Sequence, residues 1–341
     1  ETEWLTTDPA HLQLPPGQRK DTLWTTIARK RPAWAKKGEH LGALPALKRL
    51  WPQLFAEEVG KRVGDAEAGR SARRFVVSTH TMSLAHQLDQ WLERGAITPP
   101  DLDRALDAHG GETVALPRRL MRKHARQAGA LDDARRLPAL LDAADQLDDE
   151  SAARDLQGLV RRTLGRDAGR LETYYSLLLM DGDRMGAWLA GGDQYAIPYR
   201  ESFHPQTRAG FDQHAQREPS LQAYGAQPRA VSPNRHLSIS AALNDFSLTV
   251  VPHVVEEEFL GRLIYAGGDD VLAMLPVADL LPAMQRLRLA YAGHDPAHEQ
   301  GERDRQGLTL HRGFAMLRQG ARMRLMRMMG HKATASAGGV I

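Results

Sequence analysis

Leu263-Ile264-Tyr265-Ala266-Gly267-Gly268-Asp269-Asp270-Val271-Leu272-Ala273-Met274-Leu275 is the stretch on which the reading of this chain turns. Two apolar runs of strand length flank four turn residues, which predicts a hairpin with two aspartates at its tip. Gly267 and Gly268 permit positive φ in a tight turn and let backbone approach a nucleotide with no Cβ in the way. Taken alone, the turn reads equally as a solvated hairpin. A second acidic turn lies about ninety residues upstream, where Asp181-Gly182-Asp183 ends the apolar run from Tyr174 to Met180. That turn alone reads equally as a helix N-cap.

The segments around the two turns bring them together. A helix is expected from about Leu237 to Phe259, with Ile239, Leu243, Phe246, Val250 and Val254 on one apolar stripe. A second helix is expected from Val277 to Tyr291, then a basic helix over 314–329 and a last strand over 333–341. The polar stretch from Gly191 to Arg235 shows no periodicity and reads as a surface insertion, partly disordered. Without the insertions the order is strand, helix, strand, strand, helix, strand, the ferredoxin-like split βαβ order. A right-handed crossover leaves the strands over 173–180 and 261–266 parallel, with their C-terminal ends at one edge of the sheet. The acidic turns then become neighbours. Carboxylates that close repel unless a cation sits among them, and their hard oxygens suit Mg²⁺ or Mn²⁺. Two such ions, roughly 3.5–4 Å apart, would activate a hydroxyl nucleophile and stabilise the leaving oxygens of a triphosphate.

Residues 1–170 are helical in character. Apolar residues recur at three and four spacing over Leu41–Phe55, Met82–Leu92 and Arg135–Leu147. Phe75-Val76-Val77 is the one tempting strand run, Asp101 and Asp149 sit where helices could start, and Pro45 and Pro52 break the first helix or begin it. The fold class is therefore α+β, with a helical domain over 1–170 and a ferredoxin-like domain over 171–341 carrying its insertion near 191–235. Among the 341 residues, 42% hydrophobic and 26% charged content is ordinary for a globular protein, and a net charge of +3 permits a nucleic-acid partner without requiring one. The absence of cysteine excludes disulfides and cysteine zinc sites and fits a reducing compartment. No apolar run approaches the roughly 20 residues that cross a bilayer, and no secretory signal is visible, so the cytoplasm is the default and no membrane partner is expected. The chain starts without methionine and ends on what reads as mid-strand, as a piece of a longer protein would.

Four strings carry a resemblance: YYSLLLMDGDRMG (174–186), HLSISAALNDFS (236–247), GRLIYAGGDDVLAMLP (261–276) and ATASAGGVI (333–341). In that order they resemble the Palm domain of the large subunit of type III CRISPR effector complexes, closest to the Cmr (III-B) type. That Palm is related to GGDEF cyclases and nucleotide polymerases. GEHLGALPALKRL (38–50) and RRFVVSTHTMSLA (73–85) are similar to the helical domain preceding it. The resemblance implies a subunit that, with CRISPR RNA, target RNA and other Cmr-type subunits, joins ATP into cyclic oligoadenylate. It implies Asp181 and Asp269 as the leading metal ligands, with Asp270 beside them and Asp183 as a further one, and Asp269 and Asp270 as the catalytic pair. Gly182, Gly267, Gly268 and Ser238 would line the nucleotide. A silent scaffold subunit of the same complex and a diguanylate cyclase are the alternatives.

The chain departs from the family in three ways. No HD nuclease is present, His294-Asp295 being a lone dipeptide. No cysteines hold zinc, and Gly42 stands where the family commonly has one. The family uses two facing Palms, of which one is identifiable here. Elsewhere, His311 to Lys332 carries Arg312, Arg318, Arg322, Arg324, Arg327 and Lys332 with no acid. It reads as a contact to ATP phosphates or RNA, through Arg324, Arg327 and Lys332, against a solvated face backed by packing methionines. Arg118, Arg119, Arg122, Lys123 and Arg126 form a second basic cluster for which a solvated face is favoured.

Overall fold

This computed structural model describes residues 23–30, 34–35, 38–39, 41–63, 77–109, 114–147, 149–192, 195–291 and 335–340. The first half is helical, as its apolar spacing predicts: α1 (Leu23–Lys30), α2 (Ala43–Val63), α3 (Thr79–Glu93), α4 (Pro100–His109), α5 (Arg118–Lys123), α6 (Ala128–Ala144) and α7 (Glu150–Leu164). Pro45 falls in the first turn of α2, where its missing N–H costs no hydrogen bond, and the helix runs on through Pro52. Asp149 caps α7, accepting from Ser151 N at 2.8 Å and Ala152 N at 3.3 Å. Asp101 instead lies inside the first turn of α4, where its negative charge is favourable at the positive end of the helix dipole. Phe75 and Val76 lie outside the described residues, and Val77 is buried but not in a strand.

The chain divides into two compact units. In the first (Glu1–Thr81, Trp91–Leu116 and Gln127–Leu171), α4, α6 and α7 bury Leu102, Leu106, Leu137, Leu140, Leu156 and Leu159 against one another. The second contains Met82–Gln90, Pro117–Arg126 and Glu172–Ile341.

Within the second unit the strands are β1 (Tyr175–Gly182), β2 (Arg262–Gly267), β3 (Asp270–Pro276) and β4 (Ala335–Val340), in the order β2-β3-β1-β4 with every neighbouring pair antiparallel. β1 and β2, both antiparallel to the intervening β3, are therefore parallel and end at the same edge, as the crossover argument requires. This is the ferredoxin-like order. The chain between β1 and β2 forms α8 (Met185–Ala190), α9 (Tyr199–Ser202), α10 (Pro205–Ala215), α11 (Pro219–Ala226) and α12 (Pro233–Asp245). Two wide π turns, Phe246–Val250 and Val254–Glu258, extend α12. α13 (Val277–Tyr291) follows β3 over the range the sequence predicts. One face of the sheet supplies Leu178, Met180, Val271, Ala273 and Leu275 to the core. Onto it pack Ile239, Phe246, Val250 and Val254 of the long helix and Leu280, Ala283 and Leu287 of α13. Strand alternation leaves Leu177, Leu179, Asp181, Asp270 and Leu272 on the other face.

The stretch over 191–235 is not irregular. It holds α9, α10, α11 and the start of α12, and only residues 193 and 194 lie outside the description. Pro205, Pro219 and Pro233 stand in the first turns of helices, where proline is tolerated. Helices this short show no measurable period. They are held by Tyr199 stacked on Tyr224 at 4.9 Å, Phe203 against Phe211 at 5.2 Å, and a bidentate Arg200–Asp212 pair. Among the described residues no helix is long and apolar enough to cross a membrane.

Candidate metal centre

The hairpin joining β2 to β3 is a two-residue loop, Gly268-Asp269, closed by Gly267 opposite Asp270. Gly268 has φ +70°, the positive value that a loop of the II′ class demands at its first position. The loop lies at the same end of the sheet as the end of β1. One carboxylate oxygen from each of Asp181, Asp269 and Asp270 falls within 4.8 Å of the other two. Asp183, in the turn after β1, does not join that group.

What lets the turns meet is Gly182. A Cβ there would lie 2.7 Å from Asp269 Cβ, 2.8 Å from its Oδ2 and 2.5 Å from the Tyr291 hydroxyl, closer than atoms pack. Gly182 is thus the hollow into which Asp269 fits. Tyr291, the last residue of α13, is buried beneath the carboxylates and donates its hydroxyl to Met185 Sδ at 3.4 Å. Burial, then the charges of Asp269, Asp181 and Asp183, push its phenol well above the ordinary range, so it stays a neutral donor. Nothing in the sequence marks this residue beyond its place at the end of an amphipathic helix. The Asp270 carboxyl is likewise raised, first by desolvation, then by the Asp269 charge and by Asp181.

Three carboxylates gathered this closely offer the hard oxygen donors that suit a divalent cation. Oxygen ligands sit about 2.0–2.1 Å from Mg²⁺, so opposite ligands are about 4 Å apart, and this cluster closes onto an ion with shifts under about 1 Å. Among the described residues no ion pair reaches these carboxylates. Ser238 lies in α12, where its hydroxyl donates to Asn234 O at 2.8 Å, four residues back on its own helix. Gly267 carries the Tyr265 ring over it, and Gly268 faces open space. Arg324, Arg327, Lys332 and His294-Asp295 lie outside the described residues.

The cluster at Arg118 is neither a bare solvated face nor a row of unpaired cations. It lies against three glutamates in the second π turn of the long helix. Arg118 pairs with Glu256 at 3.0 Å, Arg122 pairs with Glu257 at 2.7 Å, and Arg119 donates to the Glu258 carbonyl. Lys123 reaches Asp89 at 2.8 Å. Glu256, 4% exposed, also accepts from Arg262 at 2.6 Å and from Leu263 N at 3.2 Å, which pins the start of β2. Arg286 grips Glu258 bidentately at 2.8 and 3.0 Å.

Residues 174–338 match the family model described as Cas10/Cmr2, second palm domain. The chain is 38% identical over 123 residues to the CRISPR system Cmr subunit Cmr2 of Pyrococcus furiosus, a match covering 36% of this chain and 12% of that protein. It is 46% identical over 63 residues to the Cmr2 subunit of Saccharolobus solfataricus, covering 18% and 6%. The matches thus span a small part of either relative. Two solved structures of the type III-B Cmr-β complex are also similar. The apo state gives 17% identity and a TM-score of 0.44 over 78% of this chain and 32% of that one. The state bound to cognate target RNA gives 19% and 0.48 over 79% and 33%.

Proposed function

The chain belongs, through residues 174–338, to the Cas10/Cmr2 palm family, and on that premise we propose that it performs metal-dependent nucleotidyl transfer as part of a type III-B CRISPR effector subunit. The substrate is ATP and the product cyclic oligoadenylate, made in the cytoplasm when CRISPR RNA and target RNA are held with the other Cmr-type subunits. The observation that carries this reading is the convergence of Asp181, Asp269 and Asp270 within 4.8 Å, from turns about ninety residues apart, with no cation of the protein beside them among the described residues. Bound Mg²⁺ or Mn²⁺ would lower the pKa of a ribose hydroxyl and neutralise charge on the phosphates. The chain's own part is to hold the ligand oxygens at a fixed spacing. Gly182 admits Asp269, the Gly268 turn aims Asp269 and Asp270, and Tyr291 walls off the underside. The 3′-hydroxyl oxygen of one ATP bonds to the α-phosphorus of the next. Pyrophosphate leaves, and the hydroxyl proton passes to solvent.

The test is the assembled complex with labelled ATP, Mg²⁺ and cognate target RNA. Cyclic oligoadenylate that disappears with Asp269→Ala plus Asp270→Ala supports the enzyme. No product from the intact complex leaves a scaffold subunit, and cyclic dinucleotide from GTP instead would make it a diguanylate cyclase.

A further inference from the structure

The face of the sheet turned away from the described helices carries two successive rows of residues across the strands. At the hairpin end, Gly267 stands opposite Asp270, and Asp181 stands at the end of β1 opposite Ser336. One row further in, Tyr265 is opposite Leu272, and Leu272 is opposite Leu179. Rows two residues apart along a strand are separated by about 6.8 Å. An apolar shelf of Tyr265, Leu272 and Leu179 therefore lies one step behind the carboxylates, on the same face. It is open to solvent: Tyr265 is 54% and Leu179 50% exposed. The Tyr265 ring leans toward the carboxylate row and lies over Gly267, where a Cβ would collide with its hydroxyl and Cζ. An aromatic ring laid over a strand glycine shields that backbone, and this alone would account for its pose. Shielding does not account for the exposed Leu179 on the same row two strands away, nor for an apolar surface running up to the carboxylates. A nucleoside triphosphate has that same polarity, an apolar planar base at one end and an anionic, metal-seeking chain at the other.

We propose that Tyr265 is the base-stacking residue of this site, and that a purine ring lies on the Tyr265–Leu272–Leu179 shelf while its triphosphate reaches the carboxylate row. The proposal deepens the nucleotidyl-transfer reading and rests on it. Stacking on a single aromatic side chain changes affinity by about ten-fold and tolerates any purine.

The experiment uses the full chain, Mn²⁺ and 2-aminopurine riboside triphosphate, whose fluorescence is quenched by stacking. Wild type is expected to quench the probe in a manner reversed by EDTA. Tyr265→Phe should keep both affinity and quenching. Tyr265→Leu, which still covers Gly267 but has no ring, should bind about ten-fold more weakly and leave the probe bright. Mn²⁺ binding followed by electron paramagnetic resonance should be unchanged in both variants. Equal quenching and affinity in Tyr265→Leu overturns the proposal, as does a loss that comes only with lost Mn²⁺ binding or a lowered melting temperature, which would leave glycine shielding as the residue's role. If wild type shows no Mn²⁺-dependent binding of the probe, the base-stacking proposal fails, while the nucleotidyl-transfer reading is decided by the assembled complex with target RNA.

Discussion

Two acidic trios lie in the second unit, and they are treated in opposite ways. Glu256, Glu257 and Glu258 are consecutive and are met by Arg118, Arg122, Arg262 and Arg286. Asp181, Asp269 and Asp270 come from separate segments and, among the described residues, meet no arginine or lysine. Similar residue types in similar number thus form a clamp in one place and stand as uncompensated charge in the other. The deciding factor is whether the fold supplies countercharge. The carboxyl groups register the contrast: the Arg122 pair holds Glu257 below its ordinary range, whereas desolvation and the neighbouring aspartates hold Asp270 above its own.

The largest expected effect removes the uncompensated charge. Asp269→Asn with Asp270→Asn should weaken Mn²⁺ binding by more than about a hundred-fold, judged against the 10–100-fold typical of changes one shell further out. It should leave the metal-free melting temperature unchanged or higher, since repulsion is relieved. A clear fall in that temperature would mean the aspartates are structural. Gly182→Ala comes next. It drives a methyl into Asp269 and the Tyr291 hydroxyl, so calorimetry should find about 1–3 kcal/mol lost to overpacking. Metal binding should also weaken on the order of ten-fold, because a ligand is displaced.

On the clamp side, Glu256→Ala leaves Arg262 and the Leu263 amide without their shared acceptor and should cost about 2–3 kcal/mol in denaturant titration. Arg122→Ala, at an exposed pair, should cost under about 1 kcal/mol. The last effect is the smallest and carries a sign. Because folding depresses the Glu257 pKa, its contribution is present above the ordinary glutamate value of about 4.3 and is lost as pH falls through the lower folded value. Melting temperatures between pH 5 and 3 should therefore fall less steeply in Arg122→Ala than in wild type, pH values chosen to bracket about 4.3. Equal slopes would detach Glu257 from the clamp.

Most of the described sheet and of the two long helices packed on it was legible residue by residue. The hairpin, the long apolar stripe through Phe246 and Val254, and α13 from Val277 to Tyr291 follow from patterns of period two or 3.6, which local sequence carries in full. The helices between 191 and 235 were not legible. Their lengths of 4, 11 and 8 residues hold too few turns for a period to show, and contacts such as Tyr199–Tyr224 join residues 25 apart. The partners of Arg118 and Arg122 were hidden for the same reason, since Glu256 and Glu257 lie more than 130 residues away.

Sequence alone determined the strand order, the parallel relation of β1 and β2, and the acidic residues at their tips, because turn residues, alternation and crossover handedness are local or nearly universal rules. Only the tertiary structure decided which acids stand alone, that Gly182 is the hollow for Asp269, and that Tyr291 closes the floor beneath them. Those are matters of which side chain fills which space. They depend on packing between residues distant in the chain, which no pattern along it encodes.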